Sequence, residues 1–203
     1  MRRKANGPLA AAELEELPPL VRAYAQWNQL KQLYRQGWLR RGIPVEQCET
    51  VAEHTFAVAL LTLMILDRYF PELDREAALS MALLHDLGEV YTGDLTPSDD
   101  VAAHDKHRRE RASIERVLGE LEHAQAYIAL WEEYEQGHTP EARLVREVDR
   151  LEMGLQAYLY ERQGGADLSE FYAAVGDALS SLALSRLFQQ VQEQRESRCR
   201  SGK

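Results

Sequence analysis

His54, the doublet His85-Asp86, Glu89 and Asp149 are polar residues standing where an apolar core would not want them. His85 and Asp86 follow Ala82-Leu83-Leu84, Glu89 comes one helical turn after His85, and Asp149 sits within Val148-Asp149-Arg150-Leu151. Burying any one of them alone is costly unless it is paired. One divalent cation would satisfy His54, His85, Asp86 and Asp149 together, and helices packed side by side can bring such distant ligands to a point. Neutral imidazole and carboxylate suit Mn, Fe, Co, Ni or Zn without choosing among them. An ion that accepts more than four ligands keeps positions for water and a phosphate oxygen. Glu89 is then within reach of general acid or base work. Taken singly, each residue has a plainer reading. A His on an apolar helix can be a satisfied core or capping residue, Asp149 a half-exposed acid paired with Arg146 or Arg150, and Glu89 a solvated helix-end carboxylate. The order His, His-Asp, Asp, each on a core-facing helix, favours the metal.

These ligands need helices to hold them. Leu, Ala, Glu, Arg and Gln dominate the chain, all helix formers, and no segment asks to be a strand. A first helix is expected over 20–36, ended by Gly37, with a loop at 42–44. Thr50-Val51-Ala52-Glu53 has the capping-box form. It opens a helix to residue 70 that is apolar on nearly every face past Phe56 and is expected as a buried core helix. Asp74 can cap another over 75–87, again apolar nearly all round. Residues 88–100 read as its frayed end and a loop, with Gly93 and Pro97 as breakers. Charged helices follow over 101–120 and 123–136. Thr139-Pro140 restarts a helix to residue 163, striped by Leu144, Val148, Leu151 and Leu155 and stopped by Gly164-Gly165. The last helices cover 168–194, where Leu182, Leu184, Leu187, Phe188 and Val191 form a stripe for core or interface. The expected fold is all-α, one bundle of about seven or eight helices over 20–194. A loose lead-in over 1–19, marked by Gly7-Pro8 and Pro18-Pro19, precedes it, and a flexible C-terminal tail over 195–203 follows.

The 203 residues suit one well-cored domain. A net charge of −9 argues against clamping long nucleic acid, which rests on clustered Lys and Arg. It leaves room for a small anionic substrate, because a metal and one or two arginines reverse the sign locally. Cys48 and Cys199 make neither a disulfide framework nor a zinc pattern, which fits a reducing cytoplasm. No apolar run follows the basic residues 2–4, so a secretory signal is not expected. The apolar stretch at 56–66 is too short to span a bilayer.

Val51-Ala52-Glu53-His54, then Ala82-Leu83-Leu84-His85-Asp86-Leu87-Gly88-Glu89, then Thr92-Gly93-Asp94, then Val148-Asp149 resembles the HD-domain superfamily of metal-dependent phosphohydrolases. Within it, the chain is similar to the branch of small 5'-deoxynucleotidase-like proteins. Arg35-Gln36-Gly37-Trp38, Lys106-His107-Arg108-Arg109-Glu110 and Trp131-Glu132-Glu133-Tyr134-Glu135 carry the likeness further, over about residues 30–161. The resemblance implies one HD domain with one divalent ion (Mn, Co, Zn, Fe, Ni or Mg) on His54, His85, Asp86 and Asp149. It makes Glu89 the acid that works on water or the leaving group and Asp94 a second acid near the sugar. It matches Arg35 to a phosphate-binding arginine and Trp38, more loosely, to a Trp packed on the sugar. It also implies a homodimer. His104, His107, His123 and His138 lie in charged stretches and are expected to be exposed, with no dinuclear signature around them.

The function expected from these residues is removal of phosphate from (deoxy)ribonucleoside 5'-monophosphates. An HD phosphodiesterase or nucleoside triphosphohydrolase is the second reading, although such enzymes are expected to carry more basic residues or more ligands. A catalytically idle, metal-binding scaffold is the third, and Glu89, Asp94 and Arg35 argue against it.

Overall fold

The computed structural model describes residues 1–4, 11–96, 99–164 and 166–201, so Gly7-Pro8, Pro97 and Gly165 lie outside the described residues. Its helices are α1 (Ala11–Leu14), α2 (Pro19–Trp27), α3 (Gln36–Arg40), α4 (Val51–Tyr69), α5 (Arg75–Leu84), α6 (Glu89–Thr92), α7 (Ala103–Leu118), α8 (Ala124–Gln136), α9 (Pro140–Arg162), α10 (Ser169–Ala178) and α11 (Leu182–Ser201). The fold is all-α; among the described residues the extended pairings are two isolated bridges, Arg3 with Leu33 and Tyr34 with Thr50.

The helix starts follow their caps. Thr50 Oγ1 accepts from the Glu53 amide at 3.3 Å, while Glu53 Oε2 accepts from the Thr50 amide at 2.6 Å. Asp74 Oδ1 accepts from the Ala77 amide at 3.0 Å, and Thr139 Oγ1 from the Ala142 amide at 3.2 Å. The bundle is built around α9, which packs against α4, α5, α8, α10 and α11. Its stripe Leu144, Val148 and Leu151 is buried, as are Leu184 and Phe188 of α11, while Leu182 is exposed.

Three expectations change. The helix expected over 20–36 ends at Trp27, passes through a 3-10 turn at Asn28–Lys31, and gives way to extended backbone before α3. Local propensity would continue the helix, but Leu33 and Tyr34 pair with Arg3 and Thr50 instead. Second, α4 is not wholly buried: Phe56 is 67% exposed, and Leu60, Met64 and Leu83 of α5 are also open. No element among the described residues covers that face of α4. Third, residues 89–92 stay helical. The described residues at the two ends also touch the bundle. In the lead-in Leu14 is buried, and Lys4 N donates to Gln32 O at 2.7 Å. At the other end α11 runs on to Ser201, with Arg195 bound to Glu161 at 2.7 Å.

Candidate active site

Three helices and one extended segment converge at the site. His54 stands in the first turn of α4, His85 and Asp86 just past α5, and Asp149 near the middle of α9. His54 Nε2 lies 3.4 Å from His85 Nε2, 3.1 Å from Asp149 Oδ1 and 3.7 Å from Asp86 Oδ2. His85 Nε2 is 3.2 Å from Asp86 Oδ2. One ligand atom each from His54, His85 and Asp149 falls within 4.8 Å of the others.

The far side of each imidazole is fixed. His85 Nδ1 is 2.8 Å from the Ala82 carbonyl, which can only accept, and His54 Nδ1 is 2.6 Å from Glu152 Oε2. Each ring, when neutral, therefore carries its proton on Nδ1 and aims the Nε2 lone pair inward. Two lone pairs and two carboxylates then face one point. Asp86 Oδ2 is buried with no well-aligned donor among the described residues. Such a set suits a divalent cation.

Protonation shows the same demand. Burial and Arg35 oppose charge on His54, yet hydrogen bonds to Asp149 and Glu152 outweigh them and push it up to about 10. Burial likewise opposes charge on His85, and Asp86 overcomes it and raises its pKa. Burial alone would raise the acids, but His85 holds Asp86 below the usual carboxylate range, and His54 does so for Asp149.

Arg35 reaches the site because the chain is extended there. Its Nη1 is 3.6 Å from Asp86 Oδ2 and 3.6 Å from Asp94 Oδ1. Asp94 also accepts a short hydrogen bond from the Gln36 amide, which ties the turn after α6 to the start of α3. That turn needs Gly93, whose φ of +80° is unfavourable for other residues. Gly88 has a different reason: a Cβ there would meet Glu110 Cβ at 2.6 Å, so α7 can approach only a glycine. Glu89 is buried, with Oε2 unpartnered among the described residues. Burial, then Asp86 and Asp94, hold its carboxyl well above the ordinary range.

A cleft of about 1580 Å³ opens over these groups, lined by Arg35, His85, Asp86, Glu89, Asp94 and Asp149 among others. The HD-domain model matches residues 27–194. The chain belongs to the HD-domain family. The 5'-deoxynucleotidase HDDC2 of Danio rerio is 35% identical over 179 residues, covering 86% of this chain and 87% of that protein. A 5'-deoxynucleotidase of Schizosaccharomyces pombe is 36% identical over 152 residues, covering 71% and 74%. Among solved structures, a conserved hypothetical protein from Pyrococcus furiosus superposes with a TM-score of 0.74 at 33% identity, covering 85% of this chain and 99% of that one. One from Magnetospirillum magnetotacticum, described as a predicted metal-dependent phosphohydrolase, gives 0.70 at 26% identity, covering 89% and 95%.

In this HD-domain protein Trp38 lines the cleft but is only 2% exposed. Its Nε1 donates to Glu49 Oε1 at 2.8 Å, and Phe171 lies against its ring at 4.3 Å between centroids. Little of the indole is left for a sugar to pack on. His104, His123 and His138 are exposed as expected, but His107 is half-buried and stacked on Trp131 at 5.1 Å. Sequence reasoning missed three carboxylate and phenol neighbours of the site. Glu152 holds His54; the Tyr134 hydroxyl donates to Asp149 Oδ2 at 3.3 Å; Glu49, pushed up to about 7 by burial and Glu152, holds Trp38. Only Glu152 had a signal available, its spacing one turn after Asp149 on a helix.

Proposed function

We propose that the chain is a phosphohydrolase that releases phosphate from deoxyribonucleoside 5'-monophosphates, with His54, His85, Asp86 and Asp149 holding one divalent ion. The convergence of these four residues beneath a cleft that also presents Arg35 carries the reading. The relatives named 5'-deoxynucleotidase support it over a phosphodiesterase, a triphosphohydrolase or an idle scaffold.

When bound, the ion supplies a Lewis acid that draws charge from phosphoryl oxygens and acidifies water. Mn, Co, Fe, Ni, Zn and Mg all remain compatible with this donor set. Arg35 offers a planar fork to phosphate oxygens, held in place between Asp86 and Asp94. Glu89, buried beside them, moves a proton to the leaving 5'-oxygen or from the attacking water. Asp94, anchored by the Gln36 amide, faces the sugar end. The large cleft leaves space for a nucleoside beyond the phosphate.

We assign the protein to the cytoplasm and to a homodimer. Cys48 as a free, buried thiol supports the compartment. Among the described residues, no helix is long and apolar enough to cross a membrane. Phe56, Leu60 and Met64, spaced at successive turns on the open face of α4, support the dimer.

The test is phosphate release from dAMP, dGMP, dCMP, TMP and AMP by metal-stripped protein with Mn, Co, Mg or Zn restored, beside Asp86→Ala. Metal-dependent release from the deoxy substrates by the intact protein alone is expected. No release from any monophosphate with metal demonstrably bound would overturn the reading.

A further inference from the structure

The two histidines of the centre are held differently. His85 Nδ1 is fixed by Ala82 O, a carbonyl of its own helix one turn back. Any properly formed helix end there would hold it. His54 has no such local support. Its Nδ1 meets Glu152 Oε2 at 2.6 Å, from α9, the helix that also carries Asp149 one turn earlier.

Glu152 is an expensive way to make that contact. It is 4% exposed and makes no ion pair with Lys or Arg among the described residues. Glu49 lies beside it: one carboxylate oxygen of each, with a ring nitrogen of His54, fall within 4.8 Å of one another. Two buried carboxyls side by side oppose each other's charge. A glutamine would accept the same N–H hydrogen bond without that conflict. What a carboxylate adds is negative charge on the far side of the imidazole, which makes Nε2 a stronger donor to a cation and holds the ring in one orientation.

We propose that Glu152 is the positioning residue of the metal centre, setting the tautomer, orientation and basicity of His54, so that α9 places two of the four metal-facing groups at once. This rests on the metal reading above. Glu152 touches neither the cation nor the substrate; it acts through His54.

The experiment titrates Mn²⁺ into metal-stripped wild-type protein and Glu152→Gln by calorimetry, with the melting temperature of each metal-free protein measured alongside. The expected result is a loss of Mn²⁺ affinity of roughly tenfold or more, with a metal-free melting temperature unchanged or higher because the conflict with Glu49 is relieved. A merely structural Glu152 would show the reverse, a lower melting temperature with unchanged affinity. Affinity within twofold of wild type in a folded Gln variant overturns the proposal. If that variant does not fold, Glu152→Asp keeps the charge but falls one methylene short of His54. It is expected to lose affinity similarly, and wild-type affinity there would overturn the proposal. Failure of wild type itself to bind Mn²⁺ or another divalent ion overturns the metal reading, a result distinct from failure of Glu152's role alone.

Discussion

His54 Nε2 and His85 Nε2 face each other across 3.4 Å, although both rings have their Nδ1 atoms committed to acceptors on the opposite side. Neutral imidazoles held this way would repel through their lone pairs, and a positive charge relieves it: a proton on His54, whose pKa is raised to about 10, or a cation between the two rings. The geometry therefore favours a positive charge at this point. Divalent metal is expected to stabilise the fold by about 2.7 kcal/mol at a concentration a hundred times its Kd. For a chain of this size that corresponds to a melting shift on the order of 5–10 °C. Thermal melts with and without Mn²⁺ measure it. Asp86→Ala is expected to lose both the shift and, by about three orders of magnitude, the phosphate release.

Arg35→Lys tests the phosphate fork. Lysine keeps a charge near Asp86 and Asp94 but loses the planar pair of donors. Roughly tenfold or greater loss of kcat/KM is expected, with metal affinity little changed. Steady-state kinetics with dAMP beside Mn²⁺ titration would expose an error, since wild-type kcat/KM in the variant would remove Arg35 from substrate binding.

Phe56→Glu together with Met64→Glu tests the open face of α4. Both side chains are more than half exposed, so charge there should leave each protomer folded. Light scattering is expected to show a dimer for wild type and a monomer for the double variant. An unchanged dimer would place the interface elsewhere.

Glu110 makes stability depend on pH. Burial raises its carboxyl to about 7; Lys106 opposes the rise, and Glu135 and Asp86 add to it. An acid whose folded pKa is raised holds its proton more tightly when folded. Its favourable contribution is complete below the unfolded value near 4.5 and is lost as pH climbs through 7. Glu110→Gln is therefore expected to match wild type at pH 4.5 and to exceed it by about 1–3 kcal/mol at pH 8. Urea unfolding at the two pH values gives the answer, and equal stability at pH 8 would contradict the shift.

The placement of the four proposed ligands was legible in the linear chain because they sit on or beside helices whose signals are local. Thr50 with Glu53, Asp74, and Thr139-Pro140 mark starts that the structure keeps, and apolar periodicity around His54 and Asp149 marks the faces that turn inward. These patterns depend on residues within about four positions of one another, the reach of a helical hydrogen bond. The extended stretch that delivers Arg35 was not legible, because its partners, Arg3 and Thr50, lie far off along the chain. Nor was the hold of Glu152 on His54, which joins residues 98 positions apart. The open face of α4 followed from the same limit. Composition says how much apolar surface a helix has, but only packing decides how much of it the rest of the chain can cover.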